Sequence, residues 1–146
     1  MYAEIKEEML KCAMRMDHYG LIALSGGNVS VRMENGDVVV TPSGMIYDEM
    51  VPDDMLVVDP QGNIIEGHRK ASVDTEALLY IFNKMPKVNA VIHTHQPYAT
   101  GLGLVLDEIP CNLSTLANAT EGSVSIAPYG DPGSLSMGER AVECIG

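Results

Sequence analysis

Apolar positions recur at helical spacing over residues 2 to 19, where Ile5, Met9, Cys12, Ala13 and Met16 fall near one face and Gly20 follows as a left-handed stop. An amphipathic opening helix is predicted. The pattern then changes period: "NVSVRMENGDVVVTPSG" holds two alternating segments around Asn35-Gly36, a strong short-range hairpin signal. A second hairpin is predicted from "MLVVDPQGNII", turning over Pro60 to Asn63. Helical spacing returns in "HRKASVDTEALLYIFNKMP", where Ser72 is placed to cap a helix from Val73 to Lys84 and Pro86 follows its end, so that Asp74 lies in the first turn. The apolar run Val88, Ala90, Val91 and Ile92 reads as a buried strand. Beyond it come a short helix near Pro97 to Leu106, an irregular stretch, a strand in "SVSIAPY" and a final helix, for which Ser136 and Glu139 offer a capping box. Antiparallel hairpins flanked by helices predict an α+β fold, a mostly antiparallel sheet between helical layers.

Composition narrows the function classes. The 146 residues suit one domain, residues 1–146, with a core that needs no disulfide staples. No apolar run reaches the roughly 18 residues of a membrane span, and the N-terminus lacks the sequence of a signal peptide, so a cytoplasmic protein is expected. Three widely spaced cysteines, Cys12, Cys111 and Cys144, form neither a disulfide framework nor a zinc knuckle. A net charge of −11 excludes a binder of nucleic-acid backbones, which needs clustered Lys and Arg. An anionic ligand would have to be held locally, by backbone N–H groups, a few cations or a metal.

Candidate chemistry starts at "NAVIHTHQPYAT". Two of the four histidines, His93 and His95, stand one residue apart at a strand end and so on one face. They could supply two imidazoles to a divalent metal, or they could simply be the polar end of a strand. His18, at a helix end, and His68, in a loop, read as surface residues. The loops "SGGN" and "TPSG" flank the first hairpin, so Gly27, Asn28, Ser43 and Gly44 can present N–H and hydroxyl donors on one edge. Ser72 at a helix start adds a third donor, and together these make an anion cradle. Asp74 standing alone would be a helix-dipole carboxylate; beside a metal and an anion cradle it could shuttle a proton.

The ordered segments "GGNVSVR", "VTPSG", "GHRKASVDTE", "NAVIHTH" and "APYGDPGS" cover the chain nearly end to end and resemble the class II aldolase/adducin family, which includes L-fuculose-1-phosphate aldolase and L-ribulose-5-phosphate 4-epimerase. The resemblance implies a Zn2+-dependent lyase of the cytoplasm, usually a homotetramer with sites between subunits, cleaving a ketose phosphate such as L-fuculose 1-phosphate through a metal-stabilised enediolate. By motif, Gly27, Asn28, Ser43, Gly44 and Ser72 match phosphate-binding positions, His93 and His95 two of three zinc histidines, and Asp74 the acid/base carboxylate. That carboxylate is usually Glu in the aldolases and Asp followed by Thr in the epimerases, as in Asp74-Thr75, so an epimerase is the alternative reading. A non-catalytic adducin-like scaffold or a sugar-phosphate binding module is the alternative from another class.

The chain departs from the family pattern in three places. Ala71-Ser72-Val73 stands where Pro-Ser-Ser is common, which removes one phosphate-binding hydroxyl. The stretch "EIPCNLSTLANATEG" has neither the catalytic Tyr of the aldolase nor the His-Ala-Asp-Tyr segment of the epimerase. The family's third zinc histidine lies on a later strand, so a chain that is C-terminally truncated is expected, with its third protein ligand to zinc not present in these 146 residues.

Overall fold

The computed structural model describes residues 2–145. Helix α1, Ala3–His18, is followed by strands β1 (Asn28–Arg32) and β2 (Val38–Val40), two single 3-10 turns at Tyr47–Glu49 and Pro52–Asp54, and strands β3 (Leu56–Val58) and β4 (Ile64–Glu66). Helix α2, Thr75–Lys84, leads into β5, Ala90–His93; then come α3 (Pro97–Gly103), β6 (Glu108–Ile109), α4 (Ser114–Thr120), β7 (Val124–Ser125) and α5 (Leu135–Ile145). The main sheet runs β4-β3-β2-β1-β5, every pairing antiparallel, and β6 with β7 forms a separate two-stranded sheet.

Strand alternation divides the core into two layers. Val29, Val39 and Val57 point to one face, where Met9, Ala13 and Met16 of α1 cover them together with Met55 and Tyr47. Val38, Val40, Leu56 and Val58 point to the other, under Leu78, Leu79 and Phe82 of α2. Both faces of β2 and β3 are therefore dry, so both strands are unbroken apolar runs, and the alternation expected of the segment that forms β2 is absent. The α/β/α layering predicted from the sequence is present.

Helix α1 ends as a Schellman motif: Gly20, at φ +64, donates to Asp17 O at 2.9 Å, and Leu21 donates to Met16 O at 2.9 Å. One residue on its inner face is unexpected from the pattern. Lys6 is buried, its stem packed inward and its ammonium 2.6 Å from Glu66 at the far edge of the sheet.

Both hairpins use the same loop. In the first, Gly36 N–H donates to Met33 O at 3.0 Å and Met33 N–H to Asp37 O at 2.8 Å; in the second, Gly62 and Asp59 repeat this with Asp59 O and Asn63 O at 2.9 Å each. Only the glycines, at φ +92 and +90, are left-handed, so Asn35-Gly36 is the tail of a three-residue loop rather than a two-residue primed turn.

Four local expectations are corrected. Strand β5 is not buried: it pairs only with β1 among the described residues, and Ile92 on its outer face is 53% exposed. Helix α2 begins at Thr75, with Asp74 at the N-cap position and not in the first turn, because the Ser72 hydroxyl accepts from Asp74 N–H at 3.3 Å and holds residues 72–74 in a turn. Ser136 and Glu139 do not box the last helix; Ser136 lies inside α5 and its hydroxyl accepts from Asp131 N–H at 3.0 Å. The irregular stretch contains α4, and the strand in "SVSIAPY" shrinks to Val124–Ser125.

Helix α5 packs along α2 through Gly138, where a Cβ would come within 2.7 Å of Ala77 O. Close backbone approach at that crossing fixes how the loop before α5 is delivered to the start of α2.

Candidate active site

The sheet register brings the candidate residues together. Asn28 is paired directly opposite His93 across β1 and β5, and both belong to the face that α2 covers. An isolated bridge between Pro42 and Ala71, with Ser43 N–H donating to Lys70 O at 2.9 Å, draws the loop after β2 against the loop before α2. The result is a pocket of about 350 Å³ whose lining includes Gly27, Ser43, Gly44, Ser72, Asp74, His93 and His95. Seven of the eight candidates thus face one space; the eighth, Asn28, lies buried beneath it at 2% exposure.

Gly27 has no alternative at its position. Its φ is +74, and a Cβ there would lie 2.5 Å from His93 O and 2.7 Å from Ile22 Cγ2. Gly44, at φ +72, has open space around it, so backbone conformation alone selects glycine. The Ser43 N–H is occupied by Lys70 O, which leaves the Ser43 hydroxyl and the Gly44 N–H as the donors this loop can offer an anion. Among the described residues, no Lys or Arg lines the pocket.

Asp74, Asn28 and His93 form a closed triangle. Asn28 Nδ2 donates to Asp74 Oδ2 at 2.8 Å, His93 Nδ1 lies 3.1 Å from the same oxygen, and Nδ2 and Nδ1 are 3.2 Å apart. The hydrogen bond to His93 holds the Asp74 carboxyl below its ordinary range, against the upward push of burial, with further help from Asn28 and from the backbone of Gly133. A carboxylate on Nδ1 fixes the ring of His93 and leaves Nε2 as its free nitrogen, the arrangement that metal-binding imidazoles commonly have. The ring of His95 is 4.9 Å from that of His93, centroid to centroid. Its Nδ1 sits over Gly26, where a Cβ would meet it at 2.7 Å. The two imidazoles are thus neighbours on one wall of the pocket. No group of three or more His, Cys, Asp or Glu among the described residues is placed to hold a metal ion.

His18 and His68 are exposed and outside the pocket, as expected. Sequence reasoning missed the far wall. Pro132 and Met137 line the pocket, and Gly133, at φ +71, packs so closely on Val73 that a Cβ would lie 3.0 Å from Val73 O. The "GDPGS" segment is visible as turn chemistry, but no local signal ties it to the start of α2; only the packing of α5 on α2 does.

Comparison with known proteins adds three findings. The family described as Class II Aldolase and Adducin N-terminal domain matches residues 7–146. A 5-deoxy-D-ribulose 1-phosphate aldolase of Bacillus thuringiensis serovar kurstaki is 34% identical over 139 residues, covering 94% of this chain and 65% of its own length. Among solved structures, an L-fuculose 1-phosphate aldolase superposes with a TM-score of 0.90 at 27% identity, covering 98% of this chain and 68% of that one. The L-fuculose-1-phosphate aldolase of Thermus thermophilus superposes at 0.76 and 27% identity, over 96% and 71% of the two chains. This chain therefore spans just under two thirds of the length of the curated relative it matches.

Proposed function

Since the chain belongs to the class II aldolase and adducin family, we propose that it works as a sugar-phosphate aldolase, cleaving a ketose phosphate of the L-fuculose 1-phosphate type. The observation that carries this reading is the convergence, on one pocket, of a neutral Ser/Gly cradle with the Asp74–His93 pair. The Ser43 and Ser72 hydroxyls and the Gly44 N–H hold the phosphate, and without a cation in the lining they act by hydrogen bonding alone. His93 and His95 hold Zn2+, with the third protein ligand outside the described residues; when bound, the metal supplies Lewis-acid polarisation of the substrate carbonyl. Asp74 carries the proton at the carbon left behind when the bond to the departing aldehyde breaks, which returns dihydroxyacetone phosphate. Val73, Pro132 and Met137 give the pocket an apolar wall.

The epimerase alternative shares the cleavage step, and Asp74-Thr75 is its signature. In this structure the Thr75 hydroxyl donates to Ser72 O at 2.7 Å and so serves the helix start, outside the pocket lining. This favours aldol chemistry. We further infer a homotetramer in the cytoplasm, in keeping with three free cysteines, Cys12, Cys111 and Cys144.

The test supplies dihydroxyacetone phosphate, zinc and a panel of aldehydes, and separately L-ribulose 5-phosphate. Aldol product is expected; D-xylulose 5-phosphate without any aldol product means the epimerase reading is right. Neither product, with no zinc retained, points to the scaffold. Ser43→Ala is expected to weaken binding of a sugar phosphate about tenfold, the loss of roughly one hydrogen bond to a charged group, while the non-phosphorylated sugar binds as before. Equal losses for both ligands would remove Ser43 from the cradle.

A further inference from the structure

We propose that Tyr47 is a positioning residue: its hydroxyl holds the Gly27 loop apart from the Ser43–Gly44 loop and so keeps the anion cradle open. The inference rests on the sugar-phosphate reading of this pocket but not on which sugar it takes.

The cradle lies where β1 and β2 part. Their register pairs Ser30 with Val40 and Val31 with Val39, and carried on it sets Val29 opposite Thr41 and Gly27 opposite Ser43. Thr41 N–H donates to Val29 O at 3.2 Å, so Val29 and Thr41 are a hydrogen-bonded pair, and alternation makes Gly27 and Ser43 the next one. That pair is not closed. Ser43 N–H donates instead to Lys70 O at 2.9 Å, and Gly27 O accepts from the Tyr47 hydroxyl at 2.9 Å. The ladder is already loosening one pair earlier, where Val29 N–H donates to the Thr41 hydroxyl oxygen at 3.3 Å. Each strand end has thus exchanged its ladder partner for another, and the two loops separate around the pocket they line. Without the Tyr47 hydroxyl, the donor that the register offers Gly27 O is Ser43 N–H, and taking it would draw the loops together across that pocket.

Tyr47 is placed to do this and nothing else. It is 2% exposed, packs in the α1 layer of the core and is absent from the pocket lining, so it touches no ligand. It opens the 3-10 turn three residues beyond Gly44, which ties it through the chain to one half of the cradle while its hydroxyl holds the other. Burial pushes that hydroxyl up to about 12, against the opposing hydrogen bond from Thr41, so it stays protonated, and a donor, across the neutral range.

Tyr47→Phe removes the hydroxyl and keeps the ring. Binding of inorganic phosphate, followed by calorimetry, should weaken about three- to tenfold, the span of one hydrogen bond. In turnover the loss should appear in KM for the sugar phosphate rather than in kcat. Val57→Ala, in the same core layer, is the control for stability: it should lower the denaturation midpoint and leave phosphate affinity within about twofold of the parent. Phosphate affinity unchanged in Tyr47→Phe, or lost equally in both variants, would overturn the proposal. In the unaltered protein the Tyr47 hydroxyl proton is followed by NMR, and saturating phosphate should slow its exchange with solvent, because coupling between two sites is reciprocal. Exchange indifferent to phosphate would also overturn it, and this measurement decides alone if Tyr47→Phe fails to fold. A parent that binds no phosphate counts against the aldolase reading. Tyr47 is then judged from the backbone amides of Tyr47→Phe, where Gly27 and Gly44 shifting together supports the tether and Gly44 staying in place rules it out.

Discussion

At the scale of single residues, Asp74 shows how far a sequence can be read and where it stops. Its place near the start of an amphipathic helix was legible to within a residue, and its company with His93 and His95 followed from the motifs shared with the family. Its burial was not legible. A carboxylate at the start of a helix is ordinarily a surface group, but this one is 7% exposed and held by Asn28 and His93, partners 46 and 19 residues away. Asp74→Asn is therefore expected to affect stability as well as rate. Loss of a charge-assisted, buried pair costs about 1–3 kcal/mol, read as a lower denaturation midpoint, while turnover falls by about 10²- to 10⁴-fold. A variant with full activity would return Asp74 to a structural role. The same reasoning explains Asn28: the SGGN loop announced donors, but which partner a donor meets is set by strand register, and register needs the partner strand.

At the scale of elements, periodicity identified α1 and α2, which each bury a face against the sheet, both hairpins, which form that sheet, and the last helix, which packs on α2. Between Pro97 and Tyr129, where no residue is buried and so no face imposes a period, it found α3 and the place of β7 but missed β6 and α4. It also mistook β5 for a buried strand, since Val91 and Ile92 are apolar whether or not anything covers them. A small element with its own tether is the 3-10 turn Pro52–Asp54. Asp54, buried, accepts from Val51 N–H at 2.9 Å and from Arg69 Nε at 2.8 Å, and the Val51 hydrogen bond is the chief cause that holds its carboxyl below the ordinary range. A depressed folded-state pKa contributes stability that is present above the unfolded value, about 3.9, and is lost as pH falls through the lower folded value. Asp54→Ala should thus cost about 1–2 kcal/mol near neutral pH. The gap to the parent should shrink in melts carried out below about pH 4; a gap independent of pH would mean that the contribution is packing, not charge.

At the scale of the whole molecule, several large apolar residues are exposed along the arm of residues 97–129, where no residue is buried. Leu104 is 83% exposed, and Tyr98, Val105, Leu113 and Tyr129 are exposed with it. Solitary apolar residues on a surface need no explanation, but a group of them on one arm marks an interaction surface. In the proposed homotetramer this arm meets a neighbouring subunit, so sedimentation should give a tetramer and Leu104→Glu a smaller species. Unaltered sedimentation of that variant would place the interface elsewhere. No described helix is long and apolar enough to cross a membrane. The open edge at β5 has a consequence of its own. Arg32 N–H donates to Asn89 O at 2.8 Å, and alternation along an antiparallel pair then turns the N–H groups of Val91 and His93 toward β1 and those of Ala90 and Ile92 outward. In deuterated solvent the two sets should keep different time: Ala90 and Ile92 exchange early, Val91 and His93 late. Should a fragment or neighbouring chain ever lie along β5, the early pair would slow first, and adjacent amides of one short strand would become an isotopic gauge of how far the sheet has been extended.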